Sequence, residues 1–267
     1  MSANMEASAD ATPPDPTVRF SGRAQAYASG RPGYPLKIAT ALARELGLLP
    51  GAVIVDLGSG TGLSSHVFLQ AGFRVIGVEP NAQMRAQAER ALAAMPGFAS
   101  VAGSAQHTTL ADASADCVVA AQAFHWFDLE AARTEALRIL REPKRAALIW
   151  NVRRTNESDF SRAYERLLLE YGGEYPQIRE RHTDEGSIGA FFGGSHWRLT
   201  EFEHSTELDF ELLAARVNST SYLPAPQDRA YVPMMQALRA LFDTTQRSGR
   251  VVMQYETRVY SGLIRSA

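Results

Sequence analysis

Val53-Ile54-Val55-Asp56-Leu57-Gly58-Ser59-Gly60-Thr61-Gly62-Leu63 reads as an apolar strand that runs into a glycine turn and then a helix. After one helix comes a second apolar run, Val75-Ile76-Gly77-Val78, which ends in Glu79-Pro80-Asn81. Glycines at such a turn let a ligand approach the backbone, and an acid at the end of the next strand is placed to accept from ribose hydroxyls. This is the layout of a nucleoside-binding βαβ unit.

The turn departs from the dinucleotide pattern G-x-G-x-x-G. Its third glycine falls one place early, at Gly62, and Leu63 stands where that glycine belongs. Asp56 lies two residues before the turn, where a carboxylate would repel pyrophosphate and favour a cation. S-adenosylmethionine has an ammonium, a sulfonium and a ribose but no phosphate, so the pattern favours it over NAD. The competing reading, a helix-capping Asp56 and a solvated Glu79, needs two coincidences at matching strand ends. No Gly-Lys-Ser or Gly-Lys-Thr follows, which excludes a P-loop.

The 267 residues suit one large α/β domain or one domain with a cap. At 45 % hydrophobic and 21 % charged, the composition is that of an ordinary soluble globule. A net charge of −2 leaves no basic footprint for nucleic acid. Cys117, the single cysteine, sits in Asp116-Cys117-Val118-Val119-Ala120 and reads as core. The sequence opens with neither a charged n-region nor an apolar h-region, and no stretch has the apolar length of a membrane span. The expectation is a cytoplasmic protein with no membrane partner; its oligomeric state is open.

Residues 1–17, rich in Ala, Ser, Asp and Pro, read as a disordered tail ahead of a single domain over 18–267. Phe20 to Pro35 is aromatic and basic and could close over a ligand; a helix is predicted from Leu36 to Leu48. Predicted strands at Ala52–Leu57, Arg74–Val78, Ala99–Gly103, Asp116–Ala121 and Arg145–Asn151 alternate with helices at Thr61–Ala71, up to Met95 and over Leu129–Arg141. That rhythm predicts a doubly wound parallel sheet whose ligand lies across the carboxyl ends of the first, second and fourth strands. Beyond Asn151 the rhythm stops. Helices are predicted around Ser158–Tyr171 and Pro226–Thr245, and strands at Trp197–Phe210 and Arg250–Leu263, with Ser248-Gly249 as a hairpin-like turn. The two strands should complete a seven-stranded, mostly parallel sheet as an antiparallel pair, with helical cap insertions at about 152–195 and 211–248.

These segments resemble the class I S-adenosylmethionine-dependent methyltransferases, in particular the small-molecule branch that includes trans-aconitate-type carboxyl methyltransferases. Four stretches carry the resemblance: Phe20 to Pro35 with its Arg-Pro-x-Tyr-Pro, the glycine turn with Asp56, Glu79-Pro80-Asn81 with Met84, and Gln122-Ala123-Phe124-His125-Trp126-Phe127-Asp128. The resemblance implies a Rossmann-like methyltransferase fold and S-adenosylmethionine as cofactor. It implies that Gly58, Ser59 and Gly60 approach the methionine portion, that Asp56 serves the ammonium directly or through water, and that Glu79 holds the ribose. Pro80 and Met84 would pack on the adenine, and the loop of Ser104, Ala105 and Gln106 would reach its edge, although Ser104 replaces the acid that relatives often carry there. Tyr27 and Arg31 would close over the cofactor, with Gln122 and Phe124 beside its methionine end.

The implied reaction is an in-line displacement that methylates a carboxylate or hydroxyl of a small molecule. The alternative is a protein that binds the cofactor without transferring a methyl group. On the acceptor side stand Tyr34, Trp126, Asn151 and Arg153, with Arg31, Arg153 and Arg154 as clamps for a carboxylate or, equally, as surface charges. A hydroxyl acceptor would need a base, and His125 is the best placed. His66 falls in a helix pattern, while His107, His182, His196 and His204 lack the spacing of a metal site or triad. No metal is expected.

Overall fold

The computed structural model describes residues 30–173, 175–176 and 184–265. The sheet has seven strands: β1 (Val53–Leu57), β2 (Arg74–Val78), β3 (Phe98–Val101), β4 (Ala115–Ala121), β5 (Leu140–Arg153), β6 (Trp197–Leu208) and β7 (Val251–Leu263). Their order is β3-β2-β1-β4-β5-β7-β6. The first five are parallel, β7 runs antiparallel to β5, and β6 runs antiparallel to β7.

β1 is apolar because helices cover both its faces. Ile54 points to one side, with Cys117 and Val119, onto α1 (Lys37–Leu46) and α2 (Leu63–Gln70). Val55 points to the other, with Val118 and Ala120, onto α4 (Leu129–Ile139) and α6 (Glu185–Phe192). The helix α3 (Ala82–Leu92) closes the first layer through Leu92. Cys117 is 1 % exposed, and burial pushes its thiol up to about 12, which makes it an inert core residue.

The third layer is a cap. Helices α5 (Asp159–Tyr171), α7 (Phe210–Asn218) and α8 (Tyr231–Thr245) share a core with the first residues of β7. Because β7 is antiparallel to β5, its beginning lies at the carboxyl end of β5, where Tyr255 pairs with Arg153. The cap thus stands over the ligand side of the sheet.

Three expectations change in detail. The predicted strand to Phe210 stops at Leu208, because the Asp209 side chain accepts from Leu212 N at 2.9 Å and starts α7. The tight turn at Ser248-Gly249 forms, with reciprocal hydrogen bonds between Arg247 and Arg250, but it joins α8 to β7; α7 and α8 both intervene between the two paired strands. β5 starts early, at Leu140, and ends the helix predicted to reach Arg141. Among the described residues no helix is long and apolar enough to cross a membrane. The tail at 1–17 lies outside the described residues.

Candidate functional site

β1 has β2 on one side and β4 on the other, so the chain reverses its winding at the end of β1 and opens a crevice there. The glycine turn forms one wall. Gly58 N and Ser59 N donate to Val78 O at 2.8 and 3.2 Å, which locks the turn against the end of β2. Gly58 (φ +67°) has Ala123 against it, since a Cβ there would lie 2.6 Å from the Ala123 Cβ. Gly60 (φ +56°) faces open space, with nothing within 4 Å of where a Cβ would be. One glycine lets two segments of protein touch; the other leaves room.

Glu79 joins turn to acid. It is 8 % exposed, its Oε2 accepts from Gly60 N at 3.0 Å and its Oε1 from Asn81 N at 2.9 Å. Burial raises its pKa, and the two backbone N–H groups and nearby Arg85 oppose that rise. Arg85 donates to Glu79 O and Pro80 O at 2.7 and 2.8 Å and so braces the acid loop, a role the sequence did not signal. Asn81 caps α3 by accepting from Gln83 N and Met84 N. Met84 is buried beneath, while Pro80 is exposed.

Asp56 is wholly buried behind the turn. Its Oδ2 accepts from the hydroxyls of Ser64 and Ser65, both at 2.7 Å, and so ties the start of α2 to the strand end. Among the described residues its Oδ1 has no hydrogen-bond partner, and neither has the buried hydroxyl of Thr61 in the turn itself. Burial pushes the Asp56 carboxyl up to about 6, against the pull of the two serines. A group bearing a positive charge at this turn would supply what Asp56 lacks, so the residues present fit S-adenosylmethionine.

The adenine-side loop is a tight turn in which Ser104 and His107 exchange backbone hydrogen bonds at 3.0 and 3.1 Å. The Ser104 side chain accepts from His107 N, and Ala105 is buried against the core around Val78. Thr108 fixes the loop to α4 by donating N–H and Oγ1–H to Glu135, which Arg138 holds in turn. The Arg138 hydrogen bond brings the Glu135 carboxyl down to about 2.

After β4, Gln122 takes a left-handed φ of +56° and its side chain donates to Asn151 O at 3.0 Å, which bridges the ends of β4 and β5. Phe124 turns into the core, edge-on to Phe127, Trp150 and Phe191. Any part it plays in binding the cofactor falls to its backbone. His125 and Trp126 are half-buried with their rings 4.8 Å apart.

Residues 30–35 dock across the same end of the sheet. Asn151 Nδ2 donates to Gly33 O at 3.2 Å, Arg216 Nε to Gly30 O at 2.5 Å, and Arg31 to Ser219 O at 3.4 Å. Tyr34 is half-buried against the first helix layer. Tyr27 lies outside the described residues, as do Phe20 and Ala24. The arginines following β5 divide. Arg154 forms surface ion pairs with Glu203 and Glu157. Arg153 turns under the cap, pairs with Glu165 at 3.2 Å and lies over the rings of Tyr164 and Tyr175.

Five residues of this region were not assigned to it from the sequence. His204 reaches Asn151 Oδ1 at 3.3 Å and stacks on Tyr255, and burial lowers its pKa. Arg216 donates to the Tyr255 hydroxyl, and Tyr175 donates to Glu165. Their sequence separations from β5 carry no local signal.

With this geometry in view, comparisons with known proteins are informative. Residues 55–147 match the family described as a methyltransferase domain. An uncharacterised methyltransferase of Mycobacterium tuberculosis is 36 % identical over 141 residues, which are 52 % of this chain and 54 % of that protein. The match thus spans about half the length of the mycobacterial relative. An uncharacterised methyltransferase-like protein of Schizosaccharomyces pombe is 26 % identical over 239 residues, 88 % of this chain and 91 % of that one. Among solved structures, a candidate type II methyltransferase of Anaeromyxobacter dehalogenans superposes with a TM-score of 0.66 at 23 % identity, covering 89 % of this chain and 99 % of its own. A candidate methyltransferase from an antibiotic biosynthesis pathway of Anabaena variabilis gives 0.59 at 21 %, over 88 % and 99 %. Both show a shared fold. Residues 55–147 are thus similar to a methyltransferase domain, and the seven-stranded sheet around them has the fold of the two methyltransferase-titled structures.

Proposed function

We propose that the protein transfers a methyl group from S-adenosylmethionine to an oxygen, carboxylate or hydroxyl, of a small-molecule acceptor. The observation that supports this best is the Glu79–Gly60 hydrogen bond. It makes the acid and the turn one unit, with open space at Gly60 and an unpaired buried Asp56 oxygen behind it. When bound, S-adenosylmethionine supplies an electrophilic methyl on a sulfonium.

On this reading Glu79 accepts from the ribose hydroxyls with the lone pairs that Gly60 and Asn81 leave free, since a carboxylate offers about four sites. Asp56 provides the negative charge behind the turn. Met84 and Pro80 flank the adenine, and the Ser104–Ala105 turn offers its backbone to the adenine edge. Gln122, held by Asn151, fixes the segment that carries His125 and Trp126 towards the acceptor. Displacement at a sulfonium neutralises charge, so the chain's main tasks are to align the two reactants and exclude water. The docked segment 30–35 and the cap serve the second task. A carboxylate acceptor needs no base; for a hydroxyl, His125 takes the proton.

The test is incubation with methyl-labelled cofactor and a panel of acidic, hydroxylated and amine metabolites. Label in an ester or ether supports the proposal. Label only in amines removes the oxygen acceptor, and cofactor binding with no transfer to any metabolite removes the enzymatic reading.

A further inference from the structure

Under the cap lies a guanidinium that pairs with no acid among the described residues. Arg216 is 6 % exposed, and its hydrogen-bond partners are all neutral: Gly30 O, the sulfur of Met253 and the hydroxyl of Tyr255. Among the described residues it forms no ion pair, and the three hydrogen bonds use Nε and Nη1 and leave Nη2 over. A buried charge is costly to a fold unless it is paired. The surroundings add to the excess, because the charges of Arg216, Arg153 and Arg31 all act on Tyr255. Arg153 has Glu165 at 3.2 Å; Arg216 has no such counterpart among the described residues.

Position gives this charge a use. Tyr255 lies opposite Arg153 in the β5–β7 register, two residues past Asn151, whose carbonyl holds Gln122 and whose amide holds Gly33. The arginine cluster therefore sits at the carboxyl end of β5, next to the segment carrying His125 and Trp126. The rings around it, Tyr164 stacked on Phe160 and Tyr175 stacked on Tyr222, make its walls aromatic.

We infer that Arg216 anchors the acceptor, and that the acceptor carries a carboxylate bound to the fork of Arg216 among the tyrosines. This rests on the methyl-transfer reading and narrows its substrate class. A planar carboxylate matches the guanidinium fork and gives Nη2 its missing acceptor. A single negative charge suits the place better than a phosphate dianion, because Glu165 already brings a carboxylate nearby.

The experiment uses thermal unfolding of the full chain, with and without saturating S-adenosylhomocysteine. The probes are acetate, benzoate, phenylacetate and succinate, each beside its amide. At least one carboxylate should raise Tm while its amide does not. Arg216→Met should abolish that response and keep the shift given by S-adenosylhomocysteine, which also reports that the variant is folded. Should Arg216→Met fail to fold, Arg216→Lys, which keeps the charge but loses the fork, should weaken the carboxylate response several-fold. The inference is overturned if no carboxylate stabilises the wild type, if amides do as well, or if the folded Arg216 variant responds like the wild type. Failure of S-adenosylhomocysteine to stabilise the wild type would instead sink the methyl-transfer reading, and the carboxylate comparison would still be scored.

Discussion

Glu79 and Asp56 show how one residue type does two jobs within one crevice. Glu79 uses both oxygens on backbone N–H groups and remains at the edge of the open space by Gly60. Replacing it with Ala removes the brace of the turn and the acceptor for the ribose together. Since a charge-assisted hydrogen bond contributes roughly 1.5–3 kcal/mol, Glu79→Ala should weaken S-adenosylhomocysteine binding at least tenfold in calorimetry, with circular dichroism native. Glu79→Gln should also weaken it, because its amide nitrogen would confront the N–H of Gly60 or Asn81; unchanged affinity in both variants would take Glu79 out of the site. Asp56 makes a pH prediction. Its folded pKa of about 6 lies above the ordinary 3.8, so the buried charge costs the folded state stability as pH rises through that window, and the full cost applies above about 6. A cationic ligand offsets this cost only where Asp56 is ionised. Affinity for S-adenosylhomocysteine should therefore fall about tenfold between pH 7 and pH 5, and Asp56→Asn should lose that dependence. A flat profile in the wild type would separate Asp56 from the ligand's charge.

At the scale of elements, the glycine turn and the strand ends were legible, and the reasons are local. β2 occupies the predicted Arg74–Val78, since an apolar β-branched run bounded by Gly72 and Pro80 leaves little choice. The direction of the Phe124 ring was not legible, because a three-residue 3₁₀ turn over Phe124–Trp126 sets which side chain enters the core, and no periodicity reports that. Helix α6 was missed because Gly186 and Gly189 lower helix propensity; Asp184 caps its start and Ile188, Phe191 and Phe192 bury its face. The two turn glycines can be told apart by experiment. Gly58→Ala places a Cβ against Ala123 and should push apart the β1 turn and the segment after β4, lowering stability by about 1–3 kcal/mol. Gly60→Ala meets no atom and carries only the strain of a positive φ, about 1–2 kcal/mol at most. Gly60→Val fills the open space and should abolish S-adenosylhomocysteine binding in a protein whose far-ultraviolet dichroism stays native. Equal loss of stability in the two alanine variants, or retained binding in Gly60→Val, would contradict this division.

At the scale of the whole molecule, the doubly wound, mostly parallel sheet and its antiparallel last pair follow from the βαβ rhythm and the two late strands. The cap's interior did not follow. Arg216 meets Gly30 across 186 residues, and Tyr255 meets Arg153 across the β5–β7 pairing. Such pairings arise from tertiary packing, so a sequence names the arginines without saying which one turns inward. Arg153 and Arg154, adjacent in the chain, end in an aromatic interior and in surface ion pairs respectively. The central claim is that the crevice at the ends of β1, β2 and β4 binds the methyl donor rather than a dinucleotide. The most direct measurement is thermal unfolding with S-adenosylhomocysteine or NAD, each at millimolar concentration. A ligand at about 100 times its Kd adds roughly 2.7 kcal/mol, or several degrees in Tm for a chain of this size. The account predicts that S-adenosylhomocysteine raises Tm by several degrees and NAD leaves it unchanged; stabilisation by NAD with none by S-adenosylhomocysteine would contradict it.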